Sequence, residues 1–506
     1  MSPSRQMAAV AAVALVAAVA GFAAMAWITG GETAPAVAAG PPPAPPAEAL
    51  PPPTTPPVAP PPATTGAPAE PVAPPPVEPD PAPAPDPPAP PVEPEPPAPE
   101  PEPAEPEEPE EPREPPRTRS TPAPPAPAPS PPPPSATAPP PAPPEGVRIP
   151  AAELPSGVDP AKRTLVEALR RAAPGSTAEA DIRRMLSLWA AYAGPDAAGT
   201  PPARRATIAR ALRANAWWYG SRDAPARRVL LADPDGVILT YRAGQGFAVN
   251  PVATTGRWRD LNADVPPQAL AEALLPMGVP RTAGGRTFLV WEYYDVPGDP
   301  AAIRPGASGM AQARVALLMA HADDRTGDPR FADAALGALA ALTVDVDRGG
   351  VRSMVTTAAG QEPLPWYVER AYPGEDPWTG GALNGFMVTL LNLRGTGALL
   401  DRAPDPGPSR ATGATLARDL ADRGALTLRR HLADHDTGTW SLYGLLTPGR
   451  PWKTYLADLN YHCYHVRLLT QLAEPYPGEG FGATADRWQR YVDDAGAHCA
   501  PRAADR

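Results

Sequence analysis

The side chains whose types and spacing could do chemistry cluster in the last third of the chain. His462 and His465 stand three apart in the run Tyr461-His462-Cys463-Tyr464-His465, a spacing that on a helix can bring two imidazoles to one metal ion. That run supplies no third and fourth ligand, and Cys463 projects from a different side of the helix. Neither a metal nor a cofactor is therefore expected, and the two histidines are read as orienting a substrate or satisfying internal hydrogen bonds. Glu369, Glu375, Asp376 and Asp436 are carboxyls of the kind a glycosidase uses, which needs two of them ~5–9.5 Å apart. Asp233 and Asp235 recur at a spacing seen in calcium loops, but Asp233-Pro234-Asp235-Gly236 lacks the further oxygen ligands of a twelve-residue loop and reads as a turn.

The elements that would position these groups begin late. The 506 residues include 83 prolines, far above the usual ~5%, and they crowd into the region before residue 147. Met7 to Ile28 is an uninterrupted apolar stretch behind Arg5; at ~1.5 Å per helical residue it is long enough for a hydrocarbon layer of ~30 Å. Residues 1–30 are read as a signal anchor, with a cleaved signal peptide as the alternative, since Ala34-Pro35-Ala36-Val37-Ala38-Ala39 offers small residues to a peptidase. Either way the rest of the chain is expected outside the cytoplasm, tethered to the cell membrane or secreted. Residues 31–147 hold proline, alanine and acidic residues with almost nothing apolar enough to offset ordering entropy, and are read as a disordered tether of polyproline II character.

Of the 55 acidic and 44 basic side chains, 17 and 4 fall in residues 1–147, leaving 38 and 40 for the remainder. A folded part so nearly neutral has no broad electrostatic footprint for nucleic acid, which argues against that class of partner. Both cysteines, Cys463 and Cys499, lie in the exported part, where a disulfide is permitted. A bridge between them and two unrelated buried thiols both remain open, because spacing does not give the Cα separation.

Residues 148–300 read as an N-terminal part of the fold. Helical periodicity runs through Asp159–Ala173, Ala178–Ala193 and Arg204–Trp218, a hairpin through Arg228–Leu231 and Val237–Arg242, and a strand through Gly285–Tyr294. Residues 301–506 then give helices in succession at Ala307–Thr326, Pro329–Thr343, Gly381–Thr396, Ser409–His431, Leu456–Glu474 and Ala483–Ala495. The fold class is mainly α with a small β portion, and by analogy such an order fits an (α/α) toroid-like domain.

Several motifs fall in a telling order: Ser308-Gly309-Met310-Ala311, Thr326-Gly327-Asp328-Pro329-Arg330-Phe331, Gly349-Gly350-Val351, Trp366 through Pro373, Leu383-Asn384-Gly385-Phe386-Met387, Asp436-Thr437-Gly438-Thr439 leading to Tyr443, and Tyr461-His462 with His465. Together, over residues 303–473, they resemble the carboxyl-terminal domain of the glucuronyl C5-epimerase family, enzymes that convert glucuronate to iduronate within polysaccharides. Weaker similarity reaches back to Gly246-Phe247 and Asn250-Pro251, before a short helix.

The resemblance places the family's functional tyrosines at Tyr372, Tyr443 and Tyr461, with Glu369 the nearest match to its catalytic glutamate. In the family that glutamate directly precedes the tyrosine, whereas here Arg370 and Ala371 intervene. The family's arginine after the middle tyrosine falls at Leu446, with Arg370, Arg450 and Lys453 as substitutes that could neutralise a substrate carboxylate. Inverting carbon 5 of a uronate requires proton-transfer groups on both faces of the ring, and a phenol can be an acid when neutral and a base when a neighbour lowers its pKa. Asn384 opens a helix, where it would cap the first turn or bond a sugar hydroxyl; Phe386 and Met387 are expected in the core. The function so implied is a uronyl C5-epimerase on a uronate-containing polysaccharide, and the family's dimeric members extend the expectation to a homodimer. A lyase, a glycosidase or a non-catalytic glycan-binding surface protein are the competing readings.

Overall fold

The computed structural model describes residues 145–194, 197–256, 261–294, 304–356, 362–372, 381–402, 407–444 and 456–499. The apolar stretch Met7–Ile28 and nearly all of the proline-rich segment lie outside them, as do Glu375, Asp376, Leu446, Arg450 and Lys453. Among the described residues no helix is long and apolar enough to cross a membrane.

The first three helices are α1 (Val158–Arg171), α2 (Thr177–Tyr192) and α3 (Pro202–Tyr219), and they pack on one another. Local chemistry explains their ends. Helix α1 buries Ala161, Leu165 and Ala168 on one stripe, with Asp159 in its first turn and Arg170 and Arg171 in its last, complementing the helix dipole. Helix α2 is capped by Ser176, whose side chain accepts from the Glu179 amide, and α3 opens on Pro202, where a missing N–H costs nothing.

A four-stranded sheet follows, ordered β1 (Glu145–Arg148), β2 (Val229–Ala232), β3 (Ile238–Arg242) and β4 (Gly246–Val249). The expected hairpin is present: β2 and β3 are antiparallel, with Leu231 opposite Leu239. Its turn is held by Asp233 Oδ1, which accepts from the amides of Asp235 (3.0 Å) and Val237 (2.9 Å), while Oδ2 takes Arg210. Asp233 is thus a turn residue with its oxygens in use. Strand β1 runs parallel to β2 and corrects the expected boundary at 148, because Glu145–Val147 pair with Val229–Leu231. Ladder bonds come from the main chain, so an edge strand can form where side-chain composition shows no core.

Next come the short helices α4 (Pro251–Thr255) and α5 (Pro267–Leu274) and the hairpin β5 (Val279–Ala283) and β6 (Arg286–Val290). Helix α6 (Gly309–Thr326) is the axis of what remains; it packs against α4, α5, α7 (Pro329–Ala340) and α8 (Leu383–Leu400). From Gly309 to Ala320 every one of its residues is buried, the condition of a helix that is apolar nearly all round. Ser308 caps its start by accepting from the Ala311 amide (3.2 Å), and Gly327, at φ 69°, ends it in the left-handed conformation. Asp328 then caps α7. Strands β7 (Arg352–Val355) and β8 (Leu364–Tyr367) form a two-stranded antiparallel ribbon. Helix α8 packs on α9 (Pro408–His431) and on α10 (Leu459–Ala473), and α10 on α11 (Phe481–Asp494). The six predicted helices are all present with ends shifted by a few residues; the last residues of the second, Ala341–Thr343, tighten into a 3-10 turn.

Two buried carboxylates tie the N-terminal elements together. Asp181 on α2 is fully buried and accepts from the hydroxyls of Tyr219 (2.5 Å) and Tyr241 (3.1 Å) and from the Gly246 amide (3.1 Å), joining α2, α3, β3 and β4. Glu292 receives Arg204 in a two-pronged pair (2.9 and 2.8 Å), Arg281 (2.7 Å) and the Tyr294 hydroxyl. Burial alone would raise its carboxyl, but the Arg204 hydrogen bonds and the Arg281 and Arg204 charges outweigh burial and hold it below the usual range.

Candidate active site

Strand β8 delivers Glu369. The strand is pinned by the Tyr367 hydroxyl, which donates to Leu420 O of α9 (2.7 Å), and its continuation by Val368 N on Val351 O (2.8 Å) and by Gly309 N on Val368 O (2.7 Å). The last bond ties the start of α6 to the residue before Glu369. Glu369 then lies against the first turn of α8: a Cβ built on Gly385 would stand 3.3 Å from its Oε2. Glycine at 385 gives the carboxyl its room. Glu369 accepts no hydrogen bond from the described residues; burial raises its pKa, opposed by the charges of Arg370 and then Arg314.

Tyr461 and Tyr443 reach the same place from two further elements. Tyr461 stands in the first turn of α10, which Asp458 caps by accepting the Tyr461 amide at 2.9 Å. Tyr443 belongs to a loop clamped at Leu442 N on His435 O (2.8 Å) and at Leu383 N on Tyr443 O (2.9 Å), so the start of α8 is bonded to the tyrosine's own backbone. The two rings meet edge to face with centroids 4.7 Å apart, and a hydrogen bond joins their side chains. Tyr461 keeps 37% of its surface exposed. Its hydroxyl is held above its ordinary pKa first by burial, then by the charges of Glu369 and Asp458, against which the Tyr443 hydrogen bond and the charge of Arg228 pull down. The charge felt by Tyr461 from Glu369 places carboxyl and phenol in one electrostatic neighbourhood although 92 positions separate them.

Tyr372 has a tighter setting. It is 6% exposed, and its ring covers Gly306 so closely that a Cβ there would fall 2.4 Å from its Cε1. The Arg304 guanidinium lies 5.2 Å from the ring centroid. Isolated bridges from Tyr293 to Gly306 and from Ala307 to Ala371 set the backbone of Tyr293 and of the residue before Tyr372 against the Gly306-Ala307 segment. Arg370 is exposed.

Other expected site residues serve the scaffold. Asn384 does not cap α8: the cap position is Ala382, without a side-chain bond, and Asn384 sits inside the first turn, buried, with Oδ1 lacking a donor among the described residues. The cap prediction failed because the helix starts two residues earlier than its polar side chain suggests, where Ala382 bridges Gly444. His462 and His465 are fully buried. His462 Nδ1 accepts from the Ser441 amide (3.1 Å), so Nε2 carries the proton and donates to Trp488 O (2.9 Å); Ser441 Oγ sits 2.8 Å from His462 Nδ1 and 2.9 Å from His465 Nδ1. Both histidines make internal hydrogen bonds. Asp436 accepts from Arg487 Nε (2.8 Å), Trp488 Nε1 (2.9 Å), Tyr491 Oη (3.1 Å) and Gly438 N (2.9 Å), which spends it on docking α11 and removes it from the carboxyls open to glycoside chemistry. Cys463 and Cys499 form a disulfide with Cα atoms 5.5 Å apart, fastening the segment after α11 to α10.

Sequence reasoning missed Arg228 and Arg314, the cations that act on Tyr461 and on Glu369 respectively. A signal for the second was present: Arg314 is the single charged residue between Gly309 and Ala320 in an otherwise apolar helix.

A helical domain that brings a half-exposed phenol, a second phenol hydrogen-bonded to it and a carboxyl without a direct partner into one place is equipped for proton transfer. Residues 289–490 match the family model described as D-glucuronyl C5-epimerase C-terminus, and this part of the chain is similar to that family. The chain is 28% identical over 187 residues to the D-glucuronyl C5-epimerase of Caenorhabditis elegans, a stretch amounting to 37% of this chain and 28% of that protein. The chain thus matches less than a third of the length of that curated relative.

Proposed function

We propose that this protein is a uronyl C5-epimerase that acts on a uronate-containing polysaccharide by taking the proton from carbon 5 and returning one to the opposite face. The observation that carries the reading is the convergence of Glu369, Tyr443 and Tyr461 within a region similar to the D-glucuronyl C5-epimerase C-terminus. Glu369, whose pKa burial raises, is a stronger base than an ordinary carboxylate and is suited to accept a proton. Tyr461, held above its usual value, stays protonated there and is suited to donate one, and Tyr443 can refill it through their hydrogen bond. Tyr372 stands by resemblance as a further proton-transfer group. Arg370, exposed next to Glu369, is placed to meet the substrate carboxylate, as Arg450 and Lys453 would be if they fill the part of the arginine replaced by Leu446.

On the same reading the succession of packed helices from α6 to α10 forms a toroid-like domain whose loops build the glycan cleft. Export is supported by the Cys463–Cys499 bridge, a bond that persists in oxidising compartments; membrane attachment through residues 1–30 and pairing into a homodimer complete the proposal. Incubation of the full chain with uronate polysaccharides in deuterated water tests it. Deuterium at carbon 5 with loss of glucuronate or gain of its epimer is expected. New unsaturation would make the protein a lyase, new reducing ends a hydrolase, and binding without exchange a glycan receptor.

A further inference from the structure

Arg314 is 1% exposed, in the second turn of the central helix α6. A guanidinium has five N–H donors, yet the hydrogen bond it makes among the described residues is from Nη1 to Val252 O (3.1 Å), and its Nε is buried without an acceptor. The carbonyl it uses is fixed from behind: Val252 N donates to the Tyr293 hydroxyl (3.1 Å), which in turn donates to Asn250 Oδ1 (3.3 Å), the cap of α4. The protein thus holds a buried cation rigidly and leaves it underused. A buried charge without a counter-charge is strongly destabilising, so its anion must be near. The bond from Gly309 N to Val368 O sets the start of α6 against the residue before Glu369, and α6 packs along α8, whose Gly385 receives the Glu369 carboxyl.

We propose that Arg314 is the fixed cation of this site, a positioning residue whose buried charge keeps Glu369 ionised beside Tyr461. The inference deepens the epimerase reading and rests on the same site. Among the described residues the groups that face Glu369 are few. Arg370 comes from its own segment, Arg314 from α6 and Tyr461 from α10, while the adjoining turn of α8 offers Asn384 and Gly385, which do not titrate. Arg370 exerts the larger charge effect of the two arginines, but it is exposed and free to turn toward a ligand. Arg314 has no such freedom.

The test uses the full chain labelled with carboxyl-13C glutamate, the Glu369 resonance being identified by its loss in Glu369→Gln. Arg314→Gln should move the Glu369 titration upward by ~1 pH unit or more, and Arg314→Lys should restore most of the difference. The acidic limb of the carbon-5 exchange rate should move in the same direction. Should Arg314→Gln fail to fold, Arg314→Met keeps the volume without a polar head, and a titration unmoved in it overturns the inference as surely as one unmoved in Arg314→Gln. A wild type without exchange but with a Glu369 titration that follows residue 314 would sink the epimerase reading and leave the inference standing. Exchange in wild type with a titration deaf to residue 314 would do the reverse.

Discussion

The molecule contains carboxylates of two kinds. Asp181 and Glu292, in the N-terminal part, are surrounded by donors: two tyrosine hydroxyls and an amide on one, two arginines and a tyrosine on the other. Glu369 lies against Gly385, with the charges of Arg370 and Arg314 nearby and no hydrogen bond from the described residues. A saturated carboxylate has no lone pair left for a substrate and serves to lock elements together. An unsaturated one keeps its basicity in reserve. The same contrast separates Asp436, spent on α11, from Glu369, although both stood in the sequence among the carboxyls a glycosidase could use.

Substitution of each kind by its amide should break the comparison cleanly. Glu369→Gln is expected to lower carbon-5 exchange by ~10²-fold or more, with cooperative unfolding retained. Glu292→Gln leaves Arg204 and Arg281 facing an uncharged amide and should cost ~3–5 kcal/mol of stability, measured by denaturant titration, while the exchange rate per folded molecule holds. Similar outcomes for the two variants would dissolve the distinction between site and scaffold.

The Cys463–Cys499 bridge belongs to the scaffold side. Its removal in the double serine variant should reduce stability by ~3–4 kcal/mol, since the bond closes a loop of 36 residues. The exchange rate per folded molecule under native conditions should hold, because the first turn of α10 that carries Tyr461 is capped by Asp458 independently of the bridge.

A third expectation concerns acid. Burial depresses His321 and His435 to about 4, and His465 well below its ordinary value. The unfolded chain, with histidines near 6.5, binds more protons than the native one between those values, so stability is full above about pH 6.5 and is lost as pH falls toward 4. Calorimetry across that range should show a falling Tm, with a shallower slope in His435→Gln. A Tm that stays flat down to pH 4 would show these imidazoles to be better solvated than their burial implies.

The smallest effect is expected at Gly385. Alanine there adds a methyl 3.3 Å from Glu369 Oε2 and should cost exchange roughly 10-fold by displacing the carboxyl, with stability nearly unchanged because alanine favours the helix. An exchange rate equal to wild type would mean that the carboxyl position is not critical.

Much of the architecture could be read from neighbours along the chain. The helices α1 to α3 and α6 to α11 announce themselves by apolar periodicity and by local stops and starts such as Ser308, Gly327 with Asp328, and Asp458, because a helix is closed by bonds four residues apart and its caps by side chains two or three away. The Asp233 turn is local in the same sense. What periodicity could not supply was partnership at long range. Strand β1 exists because β2 lies beside it, more than eighty residues later. Asn384 loses its capping role because Ala382 bridges Gly444 and takes the cap position, and His462 and His465 turn inward because Ser441 and Trp488 meet them there. The sequence determined by itself that the chain has an α-rich carboxyl-terminal half with tyrosines and a glutamate in motif order. Only the tertiary structure decided that Glu369 would share one electrostatic neighbourhood with Tyr461 and with the buried charge of Arg314, because burial and counter-charge depend on which helices pack together and not on the spacing of residues along any one of them.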